Sequence, residues 1–173
     1  MADIELALQY VVKWEDPKMT GKVVTDNNGF PVRYGINKKY HPNLDPRFWS
    51  YAAMGRAEAW EVAKKVYTEE YWTPMRGDGI ANQDVANKLL DMAVNQGVGT
   101  AIMQIQRVAQ VWGKQIKVDG AFGPKTLQAV NELDPQQALI GLRKEWEIRL
   151  EKVLEVHPEW ESLRDNWTKR ANA

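Results

Sequence analysis

The chain has no cysteine, which excludes a disulfide framework, a thiol nucleophile and any zinc site built on thiolates. It has no charge excess either: Lys plus Arg and Asp plus Glu stand at 23 each, so no net field draws it to nucleic acid or to an anionic membrane. Its two histidines, His41 and His157, lie far apart without a metal-ligand spacing, and no Ser-His-Asp pattern is present. Metal and acyl-transfer chemistry are therefore not expected, and no cofactor is called for. No apolar run approaches the roughly 18 residues that a spanning helix needs, so no membrane insertion is expected. The opening Met1-Ala2-Asp3-Ile4-Glu5 lacks a basic region, an apolar core and a cleavage site, which reads as synthesis in the cytoplasm without a Sec signal. What is present is an ordinary globular mixture with one surplus, eight tryptophans against three phenylalanines.

Periodicity reads as mainly helical, with about seven helices and at most a small irregular β-hairpin. Asp3 caps a first helix that ends near Glu15, and Pro17, Gly21, Asn27, Asn28, Gly29 and Pro31 make residues 16 to 37 a loop with that hairpin. A helix is predicted over Tyr51 to Tyr67, closed by Tyr71, Trp72 and Pro74. Asn82 or Gln83 opens the next, which runs to the Gly97-Val98-Gly99 break, and another follows to about Trp112. Pro124, Pro135 and Pro158 each suit the first turn of a helix, the second of these long and amphipathic to about Val156. No linker rich in Gly, Ser or Pro divides the chain, which is expected to be one compact body.

Two carboxylates sit where chemistry is plausible. Glu15 lies at a helix end beside a loop, with Trp14 offering an apolar wall, a setting that suits a general acid in glycoside hydrolysis; on position alone the competing role for it is a solvated helix-end charge. Asp26 lies in the turn-forming run Thr25-Asp26-Asn27-Asn28-Gly29, from which a second carboxylate folds back across a cleft; the competing role for it is an Asx-type turn on its own backbone. Asp16 and Asp45 are weaker candidates for the same part.

Glu15, then Asp26-Asn27-Asn28-Gly29, then Tyr34-Gly35-Ile36 resemble the Glu-Gly-Gly-Tyr, Asp-x-Gly-Gly-x-Thr and Gly-Ile motifs of the N-acetylmuramidases of phage endolysins and secretion-activator-like proteins, the glycoside hydrolase family 108 type. Asp16 and Pro17 replace the two glycines, and Val32 or Arg33 stands near the expected Thr. Downstream, Tyr71-Trp72-Thr73-Pro74 and Asp91-Met92-Ala93-Val94-Asn95-Gln96-Gly97 resemble the family's Tyr-Trp segment and its Asp-x-x-Val-Asn-x-Gly helix end. Val118-Asp119-Gly120-Ala121-Phe122-Gly123-Pro124-Lys125-Thr126 is similar to the signature of helical peptidoglycan-binding modules, and Trp167 to Arg170 to a closing Trp-x-x-Arg, with Trp167 expected as a core anchor.

The resemblance implies a lysozyme-like fold, with a catalytic part over residues 1–95 and a helical peptidoglycan-binding-like part over 96–173 packed on it. It implies a muramidase that cuts the β-1,4 bond between N-acetylmuramic acid and N-acetylglucosamine, with Glu15 and Asp26 catalytic. Sugars present flat apolar faces ringed by hydroxyls, which aromatic side chains match. Trp14, Tyr34, Trp49 and Trp72 are candidate platforms, and Asn95, Lys125 and Thr126 complete the expected substrate contacts. The expected partner is bacterial peptidoglycan in the cell wall, reached through a holin or a secretion machinery. The alternatives are a lytic transglycosylase using Glu15 alone and a non-catalytic peptidoglycan-binding or secretion accessory protein.

Overall fold

The computed structural model describes all residues from Met1 to Ala173. Seven α-helices carry the fold: α1 (Ile4–Glu15), α2 (Arg56–Tyr67), α3 (Gln83–Gln96), α4 (Val98–Val111), α5 (Pro124–Asn131), α6 (Pro135–Val156) and α7 (Arg164–Asn172). The predicted mainly helical, lysozyme-like class holds. No helix is long and apolar enough to cross a membrane.

Local signals set most boundaries. Asp3 accepts from the Glu5 N–H and caps α1, Asn82 accepts from the Val85 N–H and caps α3, and Asp134 accepts from both Gln136 and Gln137 ahead of Pro135 in α6. Each satisfies donors that a helix start leaves without partners. Pro17 ends α1, because it disfavours helical backbone at Asp16, which takes φ −148° and ψ 75°.

Helix α3 is the centre of the molecule. It packs on α1, α4 and α6, and Val85, Ala86 and the run from Lys88 to Ala93 are buried. Such all-round burial is tolerable only if the polar members of the run, Lys88 and Asp91, find partners. Helices α1 and α3 start side by side, since the Asp3 N–H donates to Gln83 Oε1 at 2.7 Å and Gln83 Nε2 donates back to the Asp3 carbonyl at 2.9 Å.

Three elements differ from the expectation. Pro158 opens a 3-10 segment, Pro158–Leu163, and the last α-helix starts only at Arg164. The second helix starts at Arg56 rather than Tyr51, because residues 51 to 54 form turns anchored by the buried Met54, and Gly55 in extended conformation caps the helix. After Tyr67 the chain does not stop but widens into a π-helical turn, Thr68–Trp72, with the Thr73 N–H on the Thr68 carbonyl at 2.8 Å.

The loop after α1 carries a three-stranded antiparallel sheet, β1 (Val24–Thr25), β2 (Pro31–Arg33) and β3 (Ile36–Asn37), in that spatial order. Arg33 is fully buried and donates to the carbonyls of Gly21 (2.7 Å), Phe48 (2.9 Å) and Met54 (2.9 Å). One guanidinium thus ties the loop, the 3-10 turn at Pro46–Trp49 and the entry to α2 to the sheet.

Candidate active site

The β2 to β3 connection is the two-residue turn Tyr34-Gly35, with φ of 50° and 77°. Positive φ at both positions is what a tight primed hairpin turn demands, and only glycine adopts it without steric cost. Tyr34 is held there from several directions: its carbonyl accepts from the Tyr67 hydroxyl at 2.7 Å, its own hydroxyl donates to the Arg56 carbonyl at 3.2 Å, and its ring packs on Trp60.

That turn abuts Glu15. A methyl on Gly35 would come within 2.7 Å of Glu15 Oε2 and 2.9 Å of the Tyr67 oxygen, so the backbone itself forms one wall around the carboxyl. Burial, and next the charge of Glu15, push the Tyr67 hydroxyl well above its ordinary range, which keeps it a donor.

On the other side stands Arg170 of α7. Its Nη2 lies 2.8 Å from Glu15 Oε1 and 2.7 Å from Asp91 Oδ1, while Nε donates to Asp91 Oδ1 at 2.9 Å. The Nη2 contacts lie off the N–H directions, so they are ion pairs by proximity, and the Nε bond is the aligned one. Asp91 is fully buried and Glu15 keeps 20% of its side-chain surface. Burial raises the Asp91 carboxyl and Arg170 opposes that rise. Burial works to lower Arg170, but Asp91 and then Glu15 outweigh it and hold the guanidinium charged. Lys88 completes the cluster by donating to the carbonyls of Arg170 (2.9 Å) and Ala171 (2.6 Å), which clamps the last turn of α7. Desolvation brings the Lys88 ammonium down to about 8.

Asp26 is placed differently. Its Oδ1 accepts from the backbone N–H of Asn28 (2.9 Å) and Phe30 (2.8 Å), and its Oδ2 accepts from Asn37 Nδ2 (2.7 Å). The Phe30 N–H first, then Asn37 and Asn28, hold it below the usual carboxylate range. It makes no contact with Glu15, although its partner Asn37 follows Gly35 by two residues. Asp16 binds Thr20 and the Gly21 N–H within the loop, and Asp45 caps the 3-10 turn while pairing with Arg47.

Of the expected sugar contacts, half-buried Trp14 lies beside the Glu15 cluster, its ring 6.0 Å from the Arg170 guanidinium carbon. Asn95 is exposed at the end of α3. It follows Asp91, the partner of Arg170, by four residues, one helical turn. Tyr34 and Trp72 are buried and present no ring face: Trp72 packs on Gly77 and donates to Asp78 at 2.8 Å. Trp49 is half-buried, edge-on to Phe48. Thr126 is also buried, accepting from Gln106 and donating to the Ala121 carbonyl; Gln106 further binds the Asp119 carboxylate and the N–H groups of Asp119 and Gly120. The Asp119 to Thr126 signature is therefore a turn locked around Gln106, with Lys125 exposed beside Gln128 and away from the Glu15 cluster. Trp167, expected in the core, is half-buried and lines a cavity.

Arg170, Lys88 and Gly35 carried no assigned role in the sequence. The available signal was Asp91: an acid inside an apolar helical run requires a cation, and the closing Trp-x-x-Arg supplies one.

Glu15 is thus a recessed carboxyl between a sheet turn and a helical body. The chain belongs to the glycosyl hydrolase 108 family, whose model matches residues 8–97, just over half of its length. A second model, described as a predicted peptidoglycan domain, matches residues 100–171. Together they make the protein a peptidoglycan hydrolase. No curated protein matches it. Among solved structures it is similar to Brucella abortus SagA, with a TM-score of 0.64 and 23% identity over 95% of this chain and 91% of that one, a likeness of fold.

Proposed function

We propose that the protein is a muramidase that hydrolyses the β-1,4 bond between N-acetylmuramic acid and N-acetylglucosamine, with Glu15 as the general acid. The observation that carries this reading is the mounting of Glu15: a partly exposed carboxyl at the end of α1, walled by the Gly35 turn and flanked by Trp14. In this reading Glu15 protonates the glycosidic oxygen, and Asp26, held ionised by its three donors, faces the developing positive charge or the attacking water. Delivery to the wall by a holin or a secretion machinery belongs to the same reading.

Glu15→Gln tests it, since glutamine keeps size and shape but has no acidic proton. Cleavage of purified walls should fall by about a hundred- to ten-thousand-fold, the usual contribution of a positioned general acid, with helix content by circular dichroism unchanged. Comparable clearing by both proteins would remove Glu15 from the chemistry.

A second reading, a lytic transglycosylase using Glu15 alone, is favoured by the engagement of both Asp26 oxygens in its own turn. Mass analysis of the products separates the two. Reducing ends mean hydrolysis and anhydro-muramic ends mean transglycosylation.

A further inference from the structure

A cavity of about 240 Å³ lies between α3, α6 and the C-terminal helical segments, outside the chemistry assigned to Glu15. Trp146, Trp160 and Trp167 wall it, and Asn95, Gln96 and Arg149 contribute its polar groups. Its position follows from helix pairing. Helices α3 and α7 run antiparallel, because Lys88 meets the carbonyls of Arg170 and Ala171, Asp91 meets Arg170, and Asn95 and Gln96 share the cavity with Trp167. The cavity therefore lies at the C-terminal end of α3, about one helical turn, roughly 5.4 Å, beyond Asp91 and the Arg170 that joins it to Glu15.

Its chemistry is one-sided. Arg149, exposed at the mouth of the space, forms no ion pair and no hydrogen bond within the protein, no carboxylate lines the space, and Gln96 Nε2 is buried without an acceptor while its Oε1 accepts from Gln104. An unpaired cation and a free amide donor among indole rings match a ligand with a carboxylate and an apolar body. An N-acetylglucosamine residue is uncharged and leaves Arg149 unanswered. The short peptide borne by muramic acid carries carboxylates and small apolar side chains, and answers it.

We propose that this cavity is a subsite for the stem peptide of peptidoglycan, with a peptide carboxylate on Arg149 and Gln96 and an apolar portion against Trp160 and Trp167. The proposal rests on the reading of the protein as a muramidase for the register of the glycan, and gives the C-terminal part a role in choosing which glycan reaches Glu15.

The test is a tryptophan-fluorescence titration of the full chain with two soluble ligands, a muramyl disaccharide bearing its stem peptide and the same disaccharide freed of it. The peptide-bearing ligand should bind at least about tenfold tighter to the wild type, the effect of one charge-assisted hydrogen bond. Arg149→Gln should abolish that difference. Trp160→Ala, at a side chain already 40% exposed and so of small cost to folding, should weaken the peptide-bearing ligand more than the bare one. Equal affinity of the wild type for the two ligands, or a preference that survives Arg149→Gln, overturns the subsite. Because the titration reads binding, a wild type that cuts no glycan overturns the muramidase reading alone and leaves this result standing.

Discussion

Arg170→Met separates what the guanidinium does for the fold from what it does for Glu15. Methionine keeps length and apolar bulk but removes the charge shared by Asp91 and Glu15. Asp91 is fully buried, so it becomes an uncompensated charge, a change that costs about 3 to 5 kcal/mol, a large part of the roughly 5 to 15 kcal/mol of a whole domain. The loss should be smaller in acid. Burial already raises the Asp91 carboxyl and Arg170 is what opposes the rise, so without Arg170 the native carboxyl titrates higher still. A group whose folded value lies above its unfolded one stabilises fully below the unfolded value, and that stability is lost as pH rises through the folded value. Thermal unfolding of the variant should therefore move toward the wild type between pH 7 and pH 4. Pairing the change with Asp91→Leu removes the stranded charge, and an apolar replacement of a buried pair is often neutral, so the double variant should regain most of the stability. Glu15 still lacks its anchor in that protein. Wall-clearing activity should stay depressed by at least about tenfold although the fold is restored, with the loss in kcat more than in KM. Full activity in the stable double variant would refute the claim that Arg170 positions Glu15. An unchanged melting temperature in the single variant would refute the account of Asp91.

Gly35→Ala should reduce activity severely and lower the melting temperature, because the added carbon meets Glu15 at 2.7 Å on backbone with φ of 77°; activity and stability near wild type would show that the turn yields freely. Lys88, brought down to about 8, gives up its proton in the native state while the unfolded chain still holds one, so stability should rise between about pH 8 and 10.5 by roughly 2 to 3 kcal/mol. Denaturant unfolding checks this as the difference from Lys88→Met, which lacks the rise; the opposing loss from Tyr10, raised to about 12, is common to both proteins. Asp26→Asn should reduce hydrolysis by less than Glu15→Gln does in the same turbidity assay, and full activity would leave Asp26 as a turn residue only.

The helical frame was readable because its signals are local. Apolar period, the caps at Asp3 and Asn82, and prolines at the starts of α5 and α6 act within a turn of where they stand. The later start of α2 and the π-helical turn were not, since the first depends on Met54 reaching the core and the second on seating Trp72 against Gly77. The same divide runs through the site. Glu15 was singled out by the family resemblance at its helix end, not by position alone, but its partners come from residues 35 and 170, and no period in the sequence relates positions so far apart. Tryptophans show the limit most plainly: residue type predicts affinity for a sugar face, while only packing decides that Trp72 is enclosed and Trp160 is open.

The position of Arg170 in the chain bears on what the C-terminal region is for. A module that only anchored an enzyme to the wall would touch the catalytic part through its surface. Here α7 instead inserts the cation that neutralises Asp91 and touches Glu15, and Lys88 of α3 in turn clamps the carbonyls at the end of α7. The dependence is mutual, because Asp91 without Arg170 is a buried charge and α7 without Lys88 has lost two acceptors' partner. The Asp119 to Thr126 turn adds to these internal contacts, with polar groups of Asp119, Gly120 and Thr126 bonded to Gln106 of α4. The region matched as a peptidoglycan domain is thus part of the structure that holds Glu15, and a chain cut after α3 would lose the cation beside its proposed general acid as well as the Trp-lined cavity next to it.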